Sequence, residues 1–196
     1  MDLISQDEFL AWARSLSIGP DGRYSPPECL VYVPYRSHHR FWEAPGRAAG
    51  VPFFAAHMLA GLGRWSQCYV WPRGGRWPES DEEDVGVGEA VHGVILGSAG
   101  VPAGHVGAVR YGSDEMDRLL TLVFGQVLFG CCVRDDVFVI PDHGRFILYV
   151  DHHDVIHVEF RDGADIAAYV EHMANEKYFL PDEVPDETFK RPGWLP

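Results

Sequence analysis

The clearest pattern of apolar and polar positions lies between Val137 and Phe160. Three segments rich in β-branched and aromatic residues, Val137 to Ile140, Phe146 to Val150 and Val155 to Phe160, alternate with Pro141-Asp142-His143-Gly144 and Asp151-His152-His153-Asp154. Short strands joined by turn chemistry predict an antiparallel meander. With Asp151 to Asp154 as the second turn, Val150 pairs with Val155 and Leu148 with His157. Side chains alternate along a strand. Ile147, Tyr149, Ile156, Val158 and Phe160 then share the expected core face, and His157 and Glu159 lie on the other.

Helical patterning flanks this block. Ser5-Gln6-Asp7-Glu8 has the capping-box spacing, in which Ser5 accepts the Glu8 N–H and Glu8 reaches back to the Ser5 N–H. Phe9, Leu10, Trp12, Ala13 and Leu16 follow on one face, so a helix is predicted from about Gln6 to Leu16, stopped by Gly19-Pro20-Asp21-Gly22. Pro52 opens a predicted buried helix that ends at Gly63. A short helix is expected over Glu89 to Leu96. Ser113 is the expected N-cap of an almost wholly apolar, central helix running to about Phe129 and ending at Gly130. Asp162 caps a last helix from about Ala164 to Asn175. Further strands are predicted at Cys29 to Tyr35, Gln67 to Trp71 and His105 to Tyr111. Ser37 to Gly50 and the acidic run Glu79 to Asp84 read as loops, and the tail from about 179 to 196 reads as an extended wrap. The expectation is one α+β domain over residues 1–196, with an antiparallel β-meander sheet and helices packed on one face.

Composition narrows the partners. There are 196 residues, with 16 Lys and Arg against 29 Asp and Glu, a formal charge of −13. Nucleic-acid affinity comes largely from cations neutralising phosphates, so this balance argues against such a ligand. It suits a basic protein partner by charge complementarity. The N-terminus shows no basic region followed by an apolar core, as a secretory signal would. The most apolar run, Leu119 to Val133, falls short of the roughly 20 residues that span a bilayer. A cytoplasmic chain with no membrane partner is therefore expected. Cys29, Cys68, Cys131 and Cys132 form no CxxC pair and read as reduced, buried thiols.

The histidines raise a chemical alternative. His143, His152, His153, His157 and, less obviously, His172 could act together with Asp142, Asp151, Asp154 and Glu159, and imidazole with carboxylate is the donor set of zinc, manganese or iron sites. Asp151-His152-His153 after an apolar strand resembles the DHH phosphoesterase motif, which implies metal-dependent phosphoester hydrolysis. The match covers three or four residues. The early strand-end aspartates and the large following domain of that family have no counterpart here, so the chain is not placed in it. The alternative reading is a metal-dependent hydrolase holding its ion with His143, Asp151, His153 and His157. The other readings of these residues are plain turn chemistry with no cofactor and a pH-sensitive or partner-contacting site, since histidine titrates at about pH 6.5.

Other motifs point away from enzymology. Gly86-Val87-Gly88-Glu89-Ala90-Val91 departs from GxGxxG at its last place and follows an acidic loop rather than a strand. No GxSxG or GxxxxGK[ST] string occurs. Cys132, a conceivable nucleophile, ends an apolar helix and is read as buried. Two segments mix cations with aromatics: Tyr35 to Trp42, and Trp65, Trp71 and Trp77 with Arg64, Arg73 and Arg76. Arg, Tyr and Trp are the residues enriched at interface hot spots. The expected function is a non-enzymatic protein-binding module of the inhibitor or immunity kind, contacting its partner through Arg36, His38, His39, Trp42, Arg73 and Trp77.

Overall fold

Among the described residues, seven strands form one sheet: β1 (Asp2–Ser5), β2 (Val31–Tyr35), β3 (Gln67–Pro72), β4 (Gly107–Gly112), β5 (Val137–Pro141), β6 (Phe146–Asp151) and β7 (Val155–Phe160). Every neighbouring pair is antiparallel. The computed structural model from which this is read describes residues 1–25, 31–35, 59–60, 63–78, 87–133, 136–151 and 155–175. The order across the sheet is β1-β4-β3-β5-β6-β7-β2. The predicted meander is its β5-β6-β7 portion. The whole is not a simple meander, because β4 and β3 extend it on one side and the early strands β1 and β2 close its two edges.

Helices α1 (Gln6–Ser15), α2 (Val87–Ser98), α3 (Met116–Val133) and α4 (Gly163–Asn175) accompany the sheet, so the chain is α+β. One face packs Val70, Val109, Val139 and Leu148 against Leu119, Leu122 and Val123 of α3 and Leu96 of α2. The other packs Tyr69, Trp71, Phe138, Ile140 and Ile147 against Phe9 and Ala13 of α1. The sequence expectation grouped the helices on one face. That grouping describes α2 and α3, while α1 lies on the opposite side.

The capping box forms as predicted. Glu8 N–H donates to Ser5 Oγ at 3.4 Å, and Ser5 N–H donates to Glu8 Oε2 at 3.1 Å. It sets α1 going directly out of β1, whose last residue is that same Ser5. Trp12 then stacks on Tyr69 with ring centroids 3.8 Å apart, and Phe9 stacks on Trp71 at 5.1 Å. Such aromatic pairs add roughly 0.5–1.5 kcal/mol each beyond area burial.

Helix α3 begins at Met116, after a 3-10 turn over Ser113–Glu115, and passes through Gly130. The glycine expected to stop it does not, because α3 is packed between α2 and the sheet and tertiary contact outweighs one residue's propensity. Gly125 sits where α2 comes closest: a Cβ there would lie 2.5 Å from Ile95 Cγ2.

The β6–β7 register differs from the expectation. Asp151 pairs with Val155, Tyr149 with His157 and Leu148 with Val158. The strand thus runs one residue further than predicted, and only three residues separate the paired ends. A slip of one residue moves every side chain to the other face. Ile147 belongs to the α1 side, while Val158 and Phe160 belong to the α3 side with Phe146 and Leu148. The two groups were expected together. Both faces are covered here, so apolar positions occur on each and alternation does not mark a single inside.

Among the described residues, no helix is long and apolar enough to cross a membrane. Leu59 and Ala60 are helical. The rest of the helix predicted from Pro52, the predicted loops at 37–50 and 79–84, Cys29 and the tail at 179–196 lie outside the described residues.

Candidate functional site

The strand pairings bring one set of termini together. Pro72 ends β3 opposite Val137, which starts β5; Asp151 ends β6 opposite Val155, which starts β7; and Tyr35 ends β2 opposite Ile156. At this end of the sheet an aromatic row crosses the strands on the α1 side. Trp71 of β3 is level with Phe138 of β5, and Phe138 with Tyr149 of β6. Phe138 lies 5.7 Å from Trp71 and stacks on Tyr149 at 4.9 Å. His157 of β7 occupies the next register position.

A buried carboxylate ties this row to the surface. Asp136, just before β5, is 2% exposed. Its Oδ2 accepts the Tyr149 hydroxyl at 2.6 Å and Arg73 Nη1 at 3.2 Å. Its backbone carbonyl accepts the Arg73 N–H at 2.8 Å, so the arginine is held at both its main chain and its head. The Arg73 side chain is nevertheless 69% exposed. The Asp136 bond pushes the guanidinium above its already high range, so it stays charged. The arrangement presents a solvent-facing guanidinium held by a buried carboxylate at the end of the sheet that carries the aromatic row.

The contact residues predicted from sequence divide. Arg73 is exposed and held as just described. Trp77 is corrected: it is 1% exposed and donates Nε1–H to the Gly107 carbonyl at 3.0 Å, so it fills the core instead of facing a partner. Trp65 and Trp71 are likewise buried. Arg36, His38, His39 and Trp42 lie outside the described residues. Asp136 and Tyr149 escaped the sequence reading. Asp136 follows Asp135 in what reads as a charged loop, and Tyr149 reads as one more apolar strand residue.

The predicted metal set divides too. His143 sits in the β5–β6 turn, and Asp151 ends the same β6 strand at its far end. Five residue steps of strand at about 3.3 Å each separate the ends of β6 by roughly 16 Å. One zinc ion bonds its ligands at about 2 Å, so His143 and Asp151 do not share an ion. His157 is level with Tyr149, and His153 lies outside the described residues. Among the described residues, no group of three or more His, Cys, Asp or Glu is arranged to hold a metal. Cys68 is fully buried in the core, and burial pushes its thiol pKa up, which keeps it protonated and inert. Cys131 and Cys132 fall in the last turn of α3.

The fold defined by these elements is an α+β antiparallel sheet with helices on both faces. No protein-family model, curated protein or solved structure matches the chain.

Proposed function

We propose that the chain is a non-enzymatic protein-binding module of the inhibitor or immunity kind, and that it contacts its partner at the sheet end carrying Arg73. The observation that carries this reading is the clamp on Arg73. A long, exposed side chain ordinarily loses rotamer freedom when it binds, at about 0.5–1.5 kcal/mol for such a residue. Here Asp136 restrains it beforehand. Strand β2 ends at Tyr35 on the same end of the sheet, and the sequence runs on into Arg36, His38, His39 and Trp42. These residues, with Arg73, form the proposed contact set, and Trp77 drops out of it. A formal charge of −13 favours a basic protein as partner, with the arginines supplying anchor contacts within a mainly acidic surface.

Affinity capture with the full chain, followed by titration of the purified partner, tests this. A basic protein is expected, bound more weakly as salt rises. Arg73→Ala is expected to weaken binding about tenfold, which corresponds to about 1.4 kcal/mol. A circular dichroism spectrum unchanged from wild type would show that the variant still folds. Binding indifferent to Arg73→Ala, or no specific basic partner, overturns the reading.

A further inference from the structure

The turn Pro141 to Arg145 lies at the other end of the sheet and gathers bonds from distant parts of the chain. Asp142 Oδ2 accepts the N–H groups of Ser66 and Gln67 at 3.2 and 3.1 Å, and also the Ser66 hydroxyl. The Tyr24 hydroxyl donates to the Gly144 carbonyl at 3.1 Å. Arg145 donates Nε–H to Asp165 of α4 at 3.1 Å and Nη2–H to the other oxygen of the same carboxylate. The Arg145 carbonyl accepts the Arg161 N–H at 2.9 Å. One five-residue turn thus fastens the entry to β3, the loop after α1 and the start of α4.

His143 stands inside this junction. Its Nδ1 accepts the Arg145 N–H at 3.2 Å. Its Nε2 is buried and has no hydrogen-bond partner among the described residues, and its ring lies 5.6 Å from that of Phe146. A neutral imidazole has one N–H, so an Nδ1 that accepts leaves the proton on Nε2. A second proton must then go to Nδ1. It would convert the acceptor of the Arg145 N–H into a donor pointing at a donor.

We propose that His143 is an acid-sensitive latch on the Pro141–Arg145 turn: protonation at Nδ1 releases the Arg145 N–H and loosens the junction between the β3 entry, the loop after α1 and α4. The charged groups acting on the ring are Asp142 and Arg145 in the turn and Asp165 on α4. Burial opposes the imidazolium most strongly and Arg145 adds to that, while the two aspartates favour it. The first effect prevails, so the ring stays neutral to a lower pH than a free histidine. The latch therefore holds near neutrality and opens on acidification.

Amide hydrogen exchange on the full chain, read beside long-range nitrogen–proton spectra of the imidazoles, tests the latch. The His143 ring signals are assigned by their loss in His143→Asn. The expected result is the Nε2–H tautomer near neutral pH, and an Arg145 protection factor that falls about tenfold over the same pH interval in which His143 titrates. Asparagine places an amide oxygen near the Nδ1 position and does not titrate, so His143→Asn is expected to keep Arg145 protected across that interval. An Nδ1–H tautomer, Arg145 protection unchanged while His143 titrates, or a His143→Asn variant that loses protection in step with wild type each overturns the proposal. If that variant fails to fold, His143→Gln supplies the ring assignment, and the wild-type tautomer and exchange profile decide the proposal.

Discussion

Arg23 Nε lies 3.2 Å from Glu159 Oε1, pairing a half-exposed guanidinium with an almost fully buried carboxylate. The second oxygen, Oε2, is buried with no hydrogen-bond partner among the described residues. Burial raises the Glu159 pKa more than Arg23 lowers it. The folded state therefore prefers the protonated acid. The stability this contributes is complete below the unfolded pKa and is lost as pH rises through the folded one. Glu159→Gln should gain on wild type between pH 4 and 8 in urea unfolding. Arg23→Ala should lose about 1–3 kcal/mol at pH 8, as expected for a buried charged group deprived of a partner. A wild type that gains on Glu159→Gln as pH rises would refute this sign.

Tyr149→Phe keeps the stack on Phe138 and removes the hydroxyl that Asp136 accepts. Hydrogen bonds to charged groups are worth about 1.5–3 kcal/mol, and a loss of that order is expected in thermal or urea unfolding. Arg73→Ala removes the cation beside the buried Asp136 carboxylate, and a loss of about 1–3 kcal/mol is expected there too. Binding then separates the two variants. Both should destabilise the fold, and Arg73→Ala alone should also weaken binding about tenfold.

Gly107 has φ 131, and a Cβ added there would lie 2.0 Å from the Ile4 carbonyl oxygen. Gly107→Ala should cost more than the roughly 1–3 kcal/mol of an unfavourable backbone conformation alone, because β1 must also move. Amide exchange should show the loss concentrated in Leu3 to Ser5. Uniform loss across the sheet would place the effect elsewhere.

His92 is 1% exposed, facing α3, and burial brings its pKa down to about 4. Its unfolded-state pKa is about 6.5. The neutral ring's contribution is therefore complete above about pH 6.5 and disappears as pH falls toward 4. Unfolding free energy should decline over that interval. His92→Gln should flatten the decline, though it will not abolish it, because His143 is depressed in the same direction. A variant whose pH profile overlays wild type would exclude His92 as a contributor.

Local chemistry was the legible part of the fold. The capping box at Ser5 and Glu8, the Asp162 cap on α4 and strands β5, β6 and β7 are set by neighbours in sequence, and all form within one residue of where the pattern places them. Non-local pairing was not legible. Strand β1 was missed because four residues running straight into a capping box show no alternation of their own. The β6–β7 register was misread because both faces are buried. At the candidate site Arg73 was legible as a cation among tryptophans, while the carboxylate that positions it was not. Asp136 becomes a partner only through the β3–β5 pairing, which no short window of sequence contains. Trp77 was misjudged for a related reason. Its indole N–H finds an acceptor in Gly107, thirty residues on, and a polar atom so satisfied can be buried.

The order of strands across the sheet also constrains how the chain is made. Among the described residues, the first two strands in sequence form the two outer edges: β1 pairs with β4, and β2 pairs with β7 alone. During synthesis from the N-terminus, β2 waits for residues up to Phe160 before its ladder can close. Such widely separated pairings slow folding and leave strand edges exposed in the interval. A nascent chain halted before β7 would therefore carry an unpaired β2 edge, a ready site for aggregation or chaperone capture.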